Sequence, residues 1–100
     1  MTMVRHLLLV KFTLATGEQD LIQLEQAFYQ LKADIAGIES VEFGLNTSPE
    51  GLDKGFTHAI LMTFIDTKAR DAYLPHAKHE AFKAMFVPMI EDILVFDYEV

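Results

Sequence analysis

The stretch Val4-Arg5-His6-Leu7-Leu8-Leu9-Val10-Lys11-Phe12 decides the fold. Alternate residues of an extended strand point to opposite faces of a sheet. One face of this strand carries Val4, His6, Leu8, Val10 and Phe12, and the other carries Arg5, Leu7, Leu9 and Lys11. Both faces are apolar at the centre, which is typical of a sheet covered by helices on one side and by a second subunit on the other.

The rest of the chain is assigned by the same two periodicities. Apolar residues at helical spacing predict a helix that ends near Gly37, with Thr16 as its N-cap and Gln19 completing a capping box. Alternation predicts strands over residues 41–45, 58–64 and 93–98, with a loop over 46–57. A short helix is predicted from Asp66 to about Leu74, and a longer one over 76–91, which Pro88 should kink or shorten.

The predicted order βαββ(α)αβ is that of the ferredoxin-like split βαβ fold. We expect an α+β domain over residues 1–100, in which four antiparallel strands carry the helices on one face. The other face would be open, and four apolar residues of it would pack against the same face of a partner: Leu7, Leu9, Ala59 and Leu61. Two such sheets back to back form a dimeric α+β barrel, so we predict a homodimer through the open sheet face.

The composition excludes several classes of function. Fifteen acidic and eight basic residues give a net charge of −7, which argues against binding to nucleic acid or to anionic membranes. No cysteine is present, so disulfides and thiolate chemistry are excluded. The apolar run in residues 7–10 is too short for a signal peptide or a membrane span, and we expect a cytoplasmic location.

Four residues are candidates for chemistry: His6, His58, Tyr73 and His79. His6 and His58 share the parity of core-facing residues, and His79 lies on an apolar helical stripe, so all four could converge at one mouth of the layer between sheet and helices. Imidazoles titrate near neutral pH, so such a site could transfer protons. Each residue also has a structural interpretation, as a hydrogen-bonding histidine or a core tyrosine. His76 is expected to face solvent or to cap a helix.

Other sites of chemistry lack a signature. His76 and His79 have the i and i+3 spacing of metal ligands, but no carboxylate is placed to complete a site. The chain has no Gly-x-Ser-x-Gly nucleophile motif, and no Lys-Ser or Lys-Thr follows Gly51 or Gly55 to form a phosphate loop. We therefore predict neither a metal nor a cofactor.

Several stretches resemble the stress-responsive A/B barrel family, often called Dabb. They are His6–Phe12, residues 46–52, Gly55-Phe56-Thr57-His58, Tyr73-Leu74-Pro75-His76 with His79, and Leu94-Val95-Phe96-Asp97-Tyr98. The family fold is a homodimeric α+β barrel, in agreement with the periodicity. Many of its members have no assigned activity, and some plant members are polyketide cyclases that use a His–Tyr arrangement.

The resemblance implies roles for the four candidates. His79 would be the general base or acid, Tyr73 would hold the developing oxyanion, and His6 and His58 would orient groups or line the pocket. Ala77 departs from the family pattern, which often has proline after the histidine, and the departure could relax the start of the helix that aims His79.

Three functions stay open at this point. The first is a stress-responsive dimer that binds a small hydrophobic ligand without catalysis. The second is a cofactor-independent cyclase-like or isomerase-like enzyme acting on a hydrophobic carbonyl compound through His79 and Tyr73. The third is a haem-degrading monooxygenase, which shares the dimeric barrel, although the chain lacks tryptophan and a clear proximal-ligand pattern.

Overall fold

In the computed structural model, which describes residues 2–100, four strands and three helices follow the predicted order. They are β1 (Val4–Phe12), α1 (Glu18–Asp34), β2 (Ile38–Leu45), β3 (His58–Phe64), α2 (Thr67–Tyr73), α3 (Ala77–Phe86) and β4 (Ile90–Glu99). The sheet order is β2-β3-β1-β4, and all neighbouring strands are antiparallel. This is the ferredoxin-like topology, so the predicted fold is confirmed.

The core lies between one face of the sheet and the helices. Phe28 of α1 has its ring centroid 4.6 Å from that of Phe82 and 5.4 Å from that of Phe86, both on α3. The sheet contributes the alternate residues of β1 and β3, which are almost fully buried: Val4, Leu8, Val10, Ile60, Met62 and Phe64. Burial of these apolar side chains removes them from water and holds α1 and α3 on one side of the sheet.

Two predicted helix boundaries are wrong. Gly17, rather than Thr16, is the N-cap of α1, and its backbone N–H donates to Asp20 Oδ2 over 2.8 Å. The Thr16 hydroxyl is instead paired with that of Thr13 at 2.8 Å, so it does not cap the helix. The last helix ends at Phe86 and not at residue 91, because Pro88 lies in a 3₁₀ turn over Val87–Met89 and β4 begins directly after it.

The short helix α2 is seated against the turn between α1 and β2. Gly37 in that turn has a φ of +93°, and a Cβ atom built on it would lie 2.6 Å from Cβ of Ala69. The close approach requires a residue without a side chain. At its start, Asp66 caps α2 through a 2.7 Å bond from the Ala69 backbone N–H. We name the contact between Gly37 and Ala69 the seat of α2. This contact and the Asp66 cap fix the position of Tyr73 at the end of α2.

The second face of the sheet carries no helix and is rich in apolar side chains. The residues that project from it on β1 and β3 include Leu7, Leu9, Ala59 and Leu61, as the alternation predicts. β4 adds Leu94, Phe96 and Tyr98, which are 41%, 57% and 44% exposed. Among residues 2–100, no helix has the length and apolar character that crossing a membrane requires.

Candidate functional site

Three of the four candidate residues come together at one end of the layer between sheet and helices. Tyr73 ends α2 and His79 lies in the first turn of α3, and their rings stack with centroids 4.1 Å apart and planes 26° apart. His6 of β1 approaches Tyr73 from the sheet, with centroids 6.2 Å apart. We name His6, Tyr73 and His79 the histidine–tyrosine cluster.

Asp97 is the charged partner of the cluster. It lies opposite His6 in the pairing of β1 with β4, and its Oδ1 is 2.6 Å from His6 Nδ1. Its Oδ2 accepts a 2.7 Å bond from the Arg70 guanidinium on α2. Because an ionised carboxylate only accepts hydrogen bonds, His6 Nδ1 carries the proton of this bond, and His6 Nε2 takes no part in it.

The roles of Asp97 and Arg70 were missed by the sequence reasoning. Asp97 lies within the closing Val-Phe-Asp-Tyr run, which was read only as a family signature. The sequence holds no local signal for it, because only the pairing of the first strand with the last places His6 opposite Asp97. Arg70 is one turn before Tyr73 on α2, so the two side chains share a helix face.

His79 is held in the same tautomer by a different partner. Its Nδ1 lies 2.9 Å from the carbonyl oxygen of Leu74, which can only accept, so Nδ1 donates and Nε2 is the free acceptor. Burial lowers the pKa of His79, and the nearby Lys83 ammonium lowers it further, against the bond to Leu74 and the Glu80 carboxylate, which raise it. At neutral pH His79 is therefore an uncharged imidazole that can accept a proton.

Tyr73 is an almost fully buried phenol with 2% of its surface exposed. Burial raises the pKa of its hydroxyl well above the usual value, so the group stays protonated at neutral pH and can donate. Within residues 2–100 no side-chain polar atom is both fully buried and unpaired, and no hydrogen bond joins the Tyr73 hydroxyl to this part of the chain. The small exposed area of Tyr73 therefore includes its hydroxyl, which opens to solvent.

His58 does not join the cluster, and the prediction that all four residues meet is wrong for it. It pairs with Val10, four residues along β1 from His6, which is about 13 Å at the usual rise of a strand. His58 instead packs edge-on against Phe12, with centroids 5.1 Å apart, and its Nδ1 is 2.7 Å from the Thr57 hydroxyl. Burial lowers the pKa of His58 as well. Equal parity placed both histidines on one face but at opposite ends of it.

His76 takes the capping role expected for it. Its Nδ1 accepts a 3.0 Å bond from the Lys78 backbone N–H at the start of α3, so its proton is on Nε2. His76 thus has the opposite tautomer to His79. His76 and His79 have the spacing of metal ligands, yet across residues 2–100 no three His, Asp or Glu side chains gather closely enough to hold a metal ion.

Among the surface clefts of residues 2–100, four have volumes of 250 to 290 Å³. His58 borders two of them, one beneath the loop over residues 46–57 and one between α1 and β2. As far as residues 2–100 show, the histidine–tyrosine cluster lines none of the four. The fourth cleft is lined by Arg70 and Asp97, and Asp97 is the carboxylate paired with His6.

The fold and the cluster together define a class: ferredoxin-like α+β domains with histidines and a tyrosine between the sheet and the helices. The sequence profile of the Stress responsive A/B Barrel Domain family matches residues 4–100. The chain therefore belongs to that family, as its sequence motifs indicated.

The relatives that match nearly the whole chain include a stress-response protein and an enzyme. The Stress-response A/B barrel domain-containing protein HS1 of Arabidopsis thaliana is 28% identical over 96 residues, which are 96% of this chain and 88% of the relative. Olivetolic acid cyclase of Cannabis sativa is 25% identical over 95 residues, which are 95% of this chain and 94% of the relative.

Solved structures share the architecture. The crystal structure of At3g17210 from Arabidopsis thaliana superposes with a TM-score of 0.92 at 28% identity and covers 95% of this chain and 92% of its own. A dimeric ferredoxin-like protein of unknown function from Jannaschia sp. superposes with a TM-score of 0.85 at 25% identity, over 98% and 99% of the two chains. Structural relatives of this chain thus include dimeric proteins.

Proposed function

We propose that this protein binds a small hydrophobic carbonyl compound at the histidine–tyrosine cluster and transfers a proton on it without a cofactor. One observation carries the proposal. His79 is a neutral imidazole whose Nδ1 is occupied by Leu74, and it is stacked on Tyr73, a phenol that stays protonated. A base and a hydrogen-bond donor side by side in a partly desolvated site are the two groups that enolisation requires.

His79 is the base in the proposed proton transfer. His79 Nε2 removes a proton from the carbon next to the carbonyl group, and the electron pair of the C–H bond moves onto the carbonyl oxygen. The Tyr73 hydroxyl donates a hydrogen bond to that oxygen as its negative charge develops. Return of the proton to the same carbon or to another one completes the cycle. His6, held by Asp97, orients the bound molecule through its free Nε2.

The relatives are consistent with such chemistry. A relative matching nearly the whole chain is named olivetolic acid cyclase, and that name describes an enzyme that closes a ring. Ring closure between two carbonyl groups begins with loss of a proton next to one of them, which is the step assigned to His79.

Exchange of hydrogen for deuterium next to a carbonyl group tests the proposal directly. A panel of aliphatic and aromatic ketones is incubated in D₂O, and the loss of α-proton signal is followed by NMR. We expect the wild-type protein to accelerate exchange for at least one hydrophobic ketone, and His79→Gln to slow it by about 10²-fold or more. Tyr73→Phe should slow it with little loss of folding stability. An intact exchange rate in His79→Gln would contradict the role of His79.

His58→Gln is the matched control. It removes an imidazole of similar burial whose pKa is lowered for the same reason, but at the other end of the layer. Exchange should be unchanged in this variant, and equal losses in His58→Gln and His79→Gln would point to a nonspecific effect of burial or folding.

A second candidate is a stress-responsive dimer without catalytic activity. Its histidine–tyrosine cluster would bind a ligand or only stabilise the fold. The candidate is favoured by the close stacking of Tyr73 on His79 and by the absence of His6, Tyr73 and His79 from the lining of the four clefts described above. This candidate predicts that no ketone of the panel exchanges faster with protein than without it. Chemical-shift changes at Tyr73 and His79 on adding ketone, in the absence of exchange, would identify a binding protein.

We further propose that the dimer forms through the open sheet face. The dimeric structural relatives support a homodimer, and this face carries the largest exposed side chains of the sheet, including Phe96. Light scattering at micromolar concentration should give the mass of two chains, and Phe96→Asp should give the mass of one. A monomeric wild-type protein would refute the dimer. The cytoplasmic location and the assignment of residues 1–100 to one domain remain predictions.

A further inference from the structure

The open sheet face is thin at one edge and thick at the other. Strand pairing arranges its side chains in rows that run from β2 across β3 and β1 to β4. The rows are Gly44-Ala59-Leu9-Leu94, Glu42-Leu61-Leu7-Phe96 and Ser40-Thr63-Arg5-Tyr98. The first row rises from no side chain to leucine, and the third from serine to tyrosine, whereas the second begins with the long side chain of Glu42. Along the first and third rows the face is therefore a wedge that is highest over β4.

The thin edge is an open hollow. A Cβ atom built on Gly44 would have no atom within 4 Å. The hollow continues into a cleft of about 290 Å³ that is floored by Gly44, Ala59 and Leu9. Its walls come from the loop over residues 46–57, where Phe56 and Asp53 border it, and His58 lies at its edge. The hollow is apolar at its floor and is large enough for several side-chain carbons.

A two-fold axis allows two simple ways to stack such wedges. An axis between the sheets and perpendicular to the strands would place thick edge on thick edge and leave the two hollows facing each other. An axis parallel to the strands places the thick edge of each copy over the hollow of the other. Interfaces pack as densely as protein interiors, so the second arrangement is favoured. A pure rotation about that axis also places each row of one copy opposite the same row of the other copy.

We infer that Leu94 of a second copy enters the hollow over Gly44 and closes the cleft beside His58. The inference rests on the proposed dimer through the open face, and it names the pairing within that dimer. Phe96 of the second copy then lies level with Glu42, and its Tyr98 level with Ser40, where the hydroxyl groups can pair. The surroundings of His58 are completed only by the second copy.

Cysteine cross-linking tests the pairing, because the chain contains no cysteine of its own. Gly44→Cys and Leu94→Cys are combined in one chain, and the protein is treated with a bismaleimide whose thiol-to-thiol span matches the roughly 10 Å between facing sheets, then separated under denaturing conditions. Within one chain the two positions are three strand spacings apart, about 14 Å, which exceeds that span. We expect most of the double variant to become covalently dimeric, and each single variant to stay unlinked.

The outcomes separate the inference from the proposals on which it rests. Self-linking of Gly44→Cys alone, or an unlinked double variant that light scattering still shows as a dimer, would overturn the pairing and leave the dimer intact. A wild-type protein that is monomeric would remove the dimer itself. Neither result bears on ketone exchange at the histidine–tyrosine cluster, which is measured on its own.

A packing variant gives an independent readout. Gly44→Leu has room in its own subunit, so it should leave folding intact and raise the dissociation constant of the dimer at least about tenfold by overfilling the occupied hollow. Adding Leu94→Ala should restore much of the lost affinity. Ala33→Leu, on the exposed side of α1, is the control and should change nothing. A tighter dimer in Gly44→Leu would mean that the hollows face each other unfilled.

Discussion

His6 and His58 lie on neighbouring strands and face the same layer, yet their surroundings differ in charge. His6 is paired with the Asp97 carboxylate, which is itself paired with Arg70. His58 has aromatic rings on two sides, those of Phe12 and Phe43, and a threonine hydroxyl at its Nδ1. A carboxylate partner fixes one tautomer and aims the other nitrogen, whereas aromatic rings and a hydroxyl leave the tautomer open.

The comparison shows that position along the strand decides which chemistry a histidine can support. The His6 end brings together two imidazoles held in one tautomer and a protonated phenol. The His58 end brings a single imidazole to the borders of two clefts. The His6 end therefore holds the groups that a proton transfer needs, whereas the His58 end lies beside clefts that open to the surface. The experiments below test whether a change at one end leaves the other unaffected.

Truncation of Tyr73 should have the largest effect on stability. Tyr73→Ala removes a buried ring that touches both His6 and His79, and we expect the free energy of unfolding to fall by about 3–5 kcal/mol. His58→Ala, at the half-buried end, should cost about 1 kcal/mol. Urea denaturation measures both. Equal losses would mean that the His58 end is as tightly packed as the cluster.

The seat of α2 should be the next most sensitive feature. Gly37→Ala introduces a methyl group 2.6 Å from Ala69 at a positive φ, and we expect a loss of about 2–3 kcal/mol. Gly51→Ala is the matched control, because Gly51 also has a positive φ but an open surrounding, and it should cost about 1 kcal/mol. The Gly37→Ala change should also disturb the NMR signals of Tyr73 and not those of His58. Changes confined to the NMR signals of His58 would show that the seat of α2 does not support the His6 end.

Loss of the Asp97 charge should have a moderate effect that is confined to the His6 end. Asp97→Asn keeps the shape of the side chain but removes the charge shared by His6 and Arg70, and it should cost about 1–2 kcal/mol. The ¹⁵N shifts of His6 should show Nδ1 protonated in the wild type and a mixture of tautomers in the variant. Asp92→Asn, exposed on the same strand, is the control. Unchanged His6 shifts would show that Asp97 does not set the tautomer.

The dependence of stability on pH should show the smallest effect, and both ends should share it. Burial lowers the pKa of His79 and of His58 below the usual 6.5. The unfolded chain therefore binds protons that the native protein does not, and the free energy of unfolding should fall as the pH drops below about 6.5. His79→Gln and His58→Gln should each flatten this decline in urea titrations between pH 7 and 5. If the free energy of unfolding falls equally in both variants and in the wild type, titratable groups other than His79 and His58 cause the fall.

Much of the fold could be predicted from local patterns. Alternation placed β1 and β3 with the same bounds that the structure gives them, helical spacing found α1 and α3, and the Asp66 cap and Pro75 marked α2. The end of α3 was misjudged because Pro88 starts a 3₁₀ turn instead of kinking the helix, and the start of α1 was misjudged because a local hydrogen bond competes for Thr16. The Thr16 hydroxyl, for example, bonds to Thr13 instead of the helix, and only the folded loop shows that this partner is within reach.

The candidate site was predicted in its residue types and less well in its arrangement. Parity correctly turned His6 and His58 toward the helices, but parity says nothing about the distance between them along the sheet. The register of β1 against β3 separates them by four residues. Asp97 was missed because it is 91 residues from its partner His6, and charge partners at such a separation leave no periodic signal.

The sequence by itself determined the order of the elements, the face to which each strand residue points and the apolar character of both sheet faces. These properties follow from the fixed geometry of strands and helices, which repeats every two or 3.6 residues. Only the tertiary structure decided that Asp97 and Arg70 hold His6, that Tyr73 stacks on His79 and that His58 stands apart. Those contacts join residues of different elements, and they depend on strand register and on the seat of α2, which no local pattern specifies.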